Sequence, residues 1–265
     1  LLIFGVSAFQ IARRIVIDQA SEYNQRLVSD AATYVHLYRN QVEDLAANIA
    51  GNEAIALALR DADHRSAGSY ETLNTKAQIG YILNSFVRVN GLVSIDLLTP
   101  SGKHFYVGET LDTGSIPLDD VSRRIQVSEK WGSAAYWRGV EDNINSASPQ
   151  KKVTAVTRVI RRYSPASSTY ETVGLLQINL NDSVFRDYFN TKQVQSKVRM
   201  MVLDRHGNLM HHPQRDFIGK SVTPELLQHV REQSPVRQIR LDGVDEIMAT
   251  AQLPGIEGHL ALLTP

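Results

Sequence analysis

The residues best suited to grip a small molecule lie in Trp131–Val140, WGSAAYWRGV, where Trp131, Tyr136 and Trp137 fall close together. Aromatic faces supply apolar or cation–π walls, and a nearby guanidinium can hold a carboxylate through paired hydrogen bonds. Arg138 adjoins the cluster, and Arg158 lies in the next apolar run. Asn179 is a polar residue inside the apolar stretch TVGLLQINL. Alternation along a strand places it on one face with Gln177, opposite Leu176, Ile178 and Leu180. Trp131, Tyr136, Trp137, Arg138, Arg158 and Asn179 are therefore the candidate ligand-binding set. The alternative is a core cluster packed on a sheet, with Arg138 in solvent.

Catalytic signatures are missing from the sequence. It has no Walker loop, no G-x-G-x-x-G, no H-E-x-x-H and no G-x-S-x-G. His211 and His212 are adjacent, so on a strand they point to opposite faces and make a poor metal site. Gly219-Lys220-Ser221 lacks the spacing to an earlier Gly that a phosphate loop needs. Carboxylates such as Asp96 and Glu109 are scattered, which gives little to a hydrolase. No catalytic residue, cofactor or metal is expected.

Composition narrows the partners. The 265 residues carry a net charge of 0, with 43% hydrophobic and 21% charged residues. That suits a globular chain with a real core and argues against a nucleic-acid partner, which requires a basic surface. No cysteine is present, which excludes disulfides and thiolate chemistry. The opening LLIFGVSAF is apolar but shorter than the about 20 residues a span needs. It is expected to be the outer end of a transmembrane helix, although Arg13 and Arg14 weigh against that orientation. A buried terminal strand or helix is the alternative.

The elements that must position the candidate residues follow from periodicity. Tyr23, Leu27, Ala31, Tyr34, Tyr38, Val42, Leu45 and Ile49 recur in steps of three and four. They predict one amphipathic helix from about Asp18 to Ala50, stopped at Gly51-Asn52. Such a helix reaches roughly 45 Å, the length of a stalk. Shorter helices are expected at Asn52–Asp63, Tyr70–Val89, Leu118–Val127, Asn181–Asn190 and Pro224–Gln233. Strands are expected at Lys152–Tyr163, Thr172–Leu180, Val236–Leu241, Glu246–Gln252 and His259–Leu263. His64–Ser69 and Gly108–Pro117 read as loops, and Asp242-Gly243 as a hairpin turn.

A strand–turn–strand organises the rest: VRMMVLDRHGNLMHHPQRDFIGKSV, with the turn at Asp204–Gly207. A looser copy, VSIDLLTPSGKHFYVG, places Leu97–Lys103 over Val202–Asn208. Two copies predict two related α+β modules in tandem.

These hairpins, the long helix, YETVGLLQINLNDSVF, QVEDLAANIAGNEAIALAL and WGSAAYW followed by TAVTRVIRR resemble the double Cache sensor domains of bacterial receptors, most of all those of sensor histidine kinases. The resemblance covers nearly the whole chain. It implies an α+β fold: a long N-terminal helix and two tandem PAS-like modules, each a mainly antiparallel sheet of about five strands flanked by helices. The expected divisions are 1–17 as the end of a transmembrane helix, 18–51 as the stalk, 52–183 as the membrane-distal module and 184–265 as the membrane-proximal one. One subfamily binds amino acids through a Tyr, Arg-x-Trp-Tyr and Asp pattern. Here Gly132 follows Trp131, Glu129 stands two residues before it in place of the Arg, and Asn179 stands at the place of the Asp.

The implied function is an extracytoplasmic sensing domain at the cell membrane, without enzymatic activity of its own. It would bind a small molecule, a carboxylate-bearing one among the candidates, in the membrane-distal module. It would signal across the membrane to a two-component histidine kinase and pair as a homodimer through the N-terminal helix. A chemoreceptor, a cyclic-dinucleotide enzyme or a membrane-bound transcription regulator could carry the same ectodomain. A protein-docking module without a small ligand is the remaining alternative.

Overall fold

The computed structural model describes residues 2–64, 70–86, 89–108, 116–191, 198–232, 234–241 and 243–265, without the side chains at 2–6, 8, 70–72 and 191. Most of the expected loops at His64–Ser69 and Gly108–Pro117, with Glu109, lie outside the described residues. So do Asp242 of the Asp242-Gly243 turn and Gln233, the expected end of the Pro224 helix. The chain forms two compact units, one of residues 38–184 and one of residues 1–37 with 185–265. They are called here the first and second modules.

Helix α1, Leu2–Ala50, contributes to both. It runs without a break from the residues expected as the end of a transmembrane helix, 1–17, into the expected stalk. The buried stripe also differs from expectation. Asn24, Val28, Ala31, Val35, Tyr38, Val42, Leu45 and Ile49 turn inward, while Tyr23 is half exposed. Asn24 can point inward because its amide donates to the Thr264 hydroxyl at 3.0 Å. No helix among the described residues is long and apolar enough to cross a membrane.

In the first module α2 is Glu53–Asp63, opened by the Asn52 side chain accepting from the Ile55 amide at 3.2 Å. Helix α3, Tyr70–Asn84, ends earlier than the expected Val89. The Ser85 hydroxyl donates to the Ile82 carbonyl at 2.6 Å, closing the last turn. Strands β1 (Leu92–Leu98) and β2 (His104–Gly108) precede α4 (Leu118–Glu129); β3 (Tyr136–Asp142), β4 (Lys152–Ser164) and β5 (Thr169–Leu180) follow. All pairings are antiparallel, in the order β2-β1-β5-β4-β3.

The second module adds α5 (Ser183–Thr191), β6 (Arg199–Leu203), β7 (Leu209–His211), α6 (Pro224–Arg231), β8 (Val236–Leu241), β9 (Val244–Leu253) and β10 (Gly258–Thr264). Its sheet order, β7-β6-β10-β9-β8, repeats that of the first. Met201, Leu203, Leu209, Val230, Ile239, Met248, Ala261 and Leu263 form its core.

The two hairpin turns match bond for bond. The Thr99 and Asp204 amides donate to the Lys103 and Asn208 carbonyls, and the Gly102 and Gly207 amides donate back to residues 99 and 204. Both glycines have positive φ, +85° and +84°.

Candidate functional site

Antiparallel register fixes which side chains share a face of the first sheet. Ser94, Asp96 and Leu98 of β1 lie opposite Asn179, Gln177 and Leu175 of β5. Thr157 and Val159 of β4 continue the row, and Tyr136 of β3 pairs with Thr157. His104 and Tyr106 of β2 extend the same face from β1 outward. Helix α4 lies over this face: Val121 and Ile125 pack on Leu98, Val159 and Leu175 at one end, while Ser128 bonds the Thr157 hydroxyl at 2.8 Å.

The rest of the face is polar, buried and internally bonded. Asn179 donates to Ser94 Oγ and to Asp96 Oδ2, each at 2.8 Å. The Ser94 hydroxyl donates to Asp96 Oδ2 at 2.7 Å, and His104 Nε2 meets Asp96 Oδ1 at 2.7 Å. Gln177 donates to Asn179 Oδ1 at 2.8 Å and to Glu141 at 3.2 Å. Arg124, from α4, donates to Gln177 at 2.9 Å, to Glu141 at 2.6 Å and to Asp120 at 2.9 Å. Asp96 is 1% exposed, and Gln177 and Asn179 are fully buried.

Electrostatics follow the geometry. Burial disfavours charge on Arg124, but Glu141 and Asp120 outweigh it and raise its pKa above the usual arginine range. Burial likewise works against the Asp120 carboxylate, yet Arg124 and the fields of Arg123 and Arg138 hold its pKa below the usual range.

The six candidate residues divide between the two faces. Tyr136 and Asn179 belong to the polar face. Trp131, 37% exposed, stacks on Tyr136 with ring centroids 4.9 Å apart. A bulge between Trp137 and Gly139 interrupts the β3 register, and Arg138 there reaches Glu141 at 3.0 Å. Trp137 and Arg158 face the other way. Trp137 is buried and donates its indole N–H to Glu43 of α1 at 3.1 Å. Burial lowers the pKa of the Arg158 guanidinium below the usual range, partly offset by Glu43. The structure thus brings together Trp131, Tyr136, Arg138 and Asn179, and places Trp137 and Arg158 against the long helix.

Sequence reasoning passed over Ser94, His104, Arg124 and Glu141, and treated Asp96 only as a scattered carboxylate. The polar-every-second pattern Ser94-x-Asp96 inside an apolar run carried the same signal as Gln177-x-Asn179. Arg124 had none, since an Arg on a short surface helix looks solvated.

Elsewhere, an apolar groove of about 560 Å³ in the second module is lined by α1 residues including Phe9, Ala12, Val16 and Ala20 and by Ile247 of β9. His211 is buried beside Phe189, and His212 Nδ1 accepts from the Gln214 amide. Among the described residues no cluster of acidic and histidine side chains is placed to hold a metal ion.

No protein-family model matches the chain, and no curated protein sequence matches it. Solved structures do. The ligand-binding domain of the Pseudomonas fluorescens chemoreceptor CtaA, in complex with L-isoleucine, matches 96% of this chain and 95% of its own with a TM-score of 0.63 and 13% identity. That of the Pseudomonas aeruginosa PAO1 amino acid chemoreceptor PctC, with GABA, matches 93% and 100%, TM-score 0.64, 12% identity. That of Campylobacter jejuni chemoreceptor Tlp3, with 4-methylisoleucine, matches 93% and 91%, TM-score 0.62, 11% identity. The fold is the tandem PAS-like Cache fold. At these identities the likeness is one of architecture.

Proposed function

We propose that this chain is the extracytoplasmic ligand-sensing region of a bacterial transmembrane receptor, binding a small molecule over the polar face of the first module. The module has no chemistry to perform; it binds and signals. The observation that carries this is the contrast between the two repeats. Aligned at their turns and read through their registers, Asp96, Gln177 and Asn179 correspond to Met201, Ala261 and Leu263. The same topology is closed with an apolar core in one copy and with a polar network in the other. Packing alone favours the apolar solution, because buried ionic networks rarely stabilise better than hydrophobic residues of similar volume. A polar face retained there is consistent with recognition.

The neighbours' ligand-binding role supports a sensor, and their identity as chemoreceptor domains fits a chemoreceptor at least as well as the histidine kinase. The test converts the first face into the second. A triple variant, Asp96→Met with Gln177→Ala and Asn179→Leu, is expected to remain folded, to melt no lower than wild type, and to lose every ligand-induced thermal shift found when wild type is screened against amino acids, amines and carboxylates. Retained binding by the folded triple variant would place the site elsewhere.

Pairing through α1 is part of the same proposal. Phe9, Val16, Tyr23 and Leu37 are all exposed and fall on one seven-residue repeat, broken once by Asp30. That is the spacing of a seam between helices, and a second copy of α1 is the occupant that matches it.

A further inference from the structure

We propose that the outer edge of β4 over Arg158–Ser164 is a docking edge, to which an acidic, extended segment of another protein adds as a further strand. The register exposes this edge. Strand β3 pairs with β4 only from Lys152 to Thr157, and β1 pairs with β5 only from Leu175 to Leu180. Strands β4 and β5 pair with each other out to Ser164 and Thr169, so their hairpin runs past its neighbours as a two-stranded arm. Beyond Thr157, every second residue of β4 turns its backbone N–H and C=O away from β5. Among the described residues no backbone group bonds them there. The arm has one bulge, where Ile160 lies opposite Gly174 and Arg161 opposite Thr172. Its extra residue, Val173, belongs to β5, so β4 stays regular and can accept a partner.

Charge selects the occupant. Arg158, Arg161 and Arg162 fall within five residues of this edge, with no acid between them. Arg158 and Arg162 share one face of β4, while Arg161 and Tyr163 share the other. Among the described residues Arg158 and Arg161 make no hydrogen bond or ion pair, and Arg162 meets only the exposed Glu53, at 4.0 Å. Glu171 stands opposite Arg162 in the register, yet it accepts from the Ser167 hydroxyl at 2.7 Å instead. The Arg162 Nε–H is buried without an acceptor, and burial disfavours the charge on Arg158. Charges that only keep a sheet edge from aggregating need solvent, not burial. A partly buried guanidinium without a carboxylate carries a desolvation cost that an incoming carboxylate offsets. Tyr163 and Tyr170 are exposed, with ring centroids 5.6 Å apart, and add an aromatic surface beside the same edge. The β5 side of the arm, Thr169–Gly174, carries Glu171 and no arginine or lysine, so an acidic strand belongs beside β4. Docking here requires nothing of the polar face, and either site can exist without the other.

The probe is a fluorescently labelled peptide, Glu-Val-Glu-Val-Glu-Val-Glu with blocked ends, whose glutamates share one strand face. Its comparisons are the peptide with Lys for each Glu, the peptide with Pro for each Val, and heparin as a competing polyanion. Fluorescence anisotropy on the whole chain is expected to find the acidic valine peptide bound at least about tenfold more tightly than either other peptide. Hydrogen exchange of the Arg158–Ser164 amides should slow when it binds. Arg161→Gln with Arg162→Gln should weaken it by about tenfold or more at an unchanged melting temperature. Arg161→Glu with Arg162→Glu should transfer the preference to the lysine peptide, a gain that misfolding cannot imitate.

The proposal is overturned if no peptide binds, which leaves the arginines as guards against aggregation. It is overturned equally if the proline peptide binds as tightly as the valine peptide, because ion pairing alone then suffices. Heparin that binds this edge more tightly than the acidic peptide would make the partner a polyanion and not a strand. Association between copies of the chain that is lost in the Arg161→Gln, Arg162→Gln variant would give the edge to a second copy instead.

Discussion

At the scale of single residues, neighbours that look equivalent in the chain meet opposite surroundings. Tyr136 and Trp137 are consecutive, yet one faces the polar network and the other donates to Glu43. Adjacent aromatics were legible as a cluster; their division was not, because the stretch was not read as a strand, and only on a strand do consecutive side chains take opposite faces. Asn179 was legible from alternation within its own strand. The same alternation marks Ser94 and Asp96; that they meet Asn179 was not legible, since the pairing joins strands far apart in sequence. Histidines of the second module carry a pH consequence. Burial, then the charge of Arg231, pushes the His259 pKa down, and burial does the same to His212. A group whose folded pKa is depressed takes up its proton first in the unfolded chain. Its contribution is present above about pH 6.5 and is lost as pH falls through the folded pKa. Urea unfolding at decreasing pH should show stability falling below about 6.5. His259→Gln should flatten part of that slope, by under about 1 kcal/mol given the partial exposure of the ring. An unchanged slope in the variant would remove His259 as a contributor.

At the scale of elements, the repeat was the most readable feature. D-x-x-G and T-x-x-G in aligned hairpins predicted a pair of modules, and the two turns share bonds and glycine conformation. An alanine Cβ at Gly207 would lie 2.9 Å from Leu227 Cδ1, and at Gly102 3.3 Å from Leu118 Cδ1. Both leucine tips can swing aside, so the backbone sets most of the penalty. Gly207→Ala and Gly102→Ala should each lower stability by about 1–2 kcal/mol, Gly207→Ala slightly more, measured by thermal melting. Two neutral substitutions would contradict the positive φ. Helix α1 was legible as an amphipathic stripe after Asp18 and, before it, as the expected end of a transmembrane helix; that the two form one unbroken helix was not legible. Its inward stripe shifted because Asn24 found a buried partner that no helical period encodes.

At the scale of the whole molecule, two matching sheets serve two different ends. One closes on methionine and leucine, the other on a charged network. The pairing proposed for α1 belongs to this scale as well. Sedimentation should show a dimer, and Phe9→Glu with Val16→Glu should yield a monomer with unchanged far-ultraviolet dichroism. Wild type that stays monomeric at its highest soluble concentration would refute the α1 seam. The strand order has a further consequence, for the sequence of events as each module assembles. The central strand is the last of its module and is bonded to the first: β5 beside β1, and β10 beside β6. By contrast β4 and β5 are joined by the short turn Ser164–Thr169 and pair from there to Thr154 and Leu180. Closing a short loop is entropically easier than closing a long one, so the β4–β5 hairpin should form early and β1 should dock last. Pulse-labelled hydrogen exchange during refolding would then protect Val153–Leu180 before Val93–Leu98, and the reverse order would refute this. Asp96 would arrive beside Asn179 only in that final step, so the buried polar face is completed when the fold is.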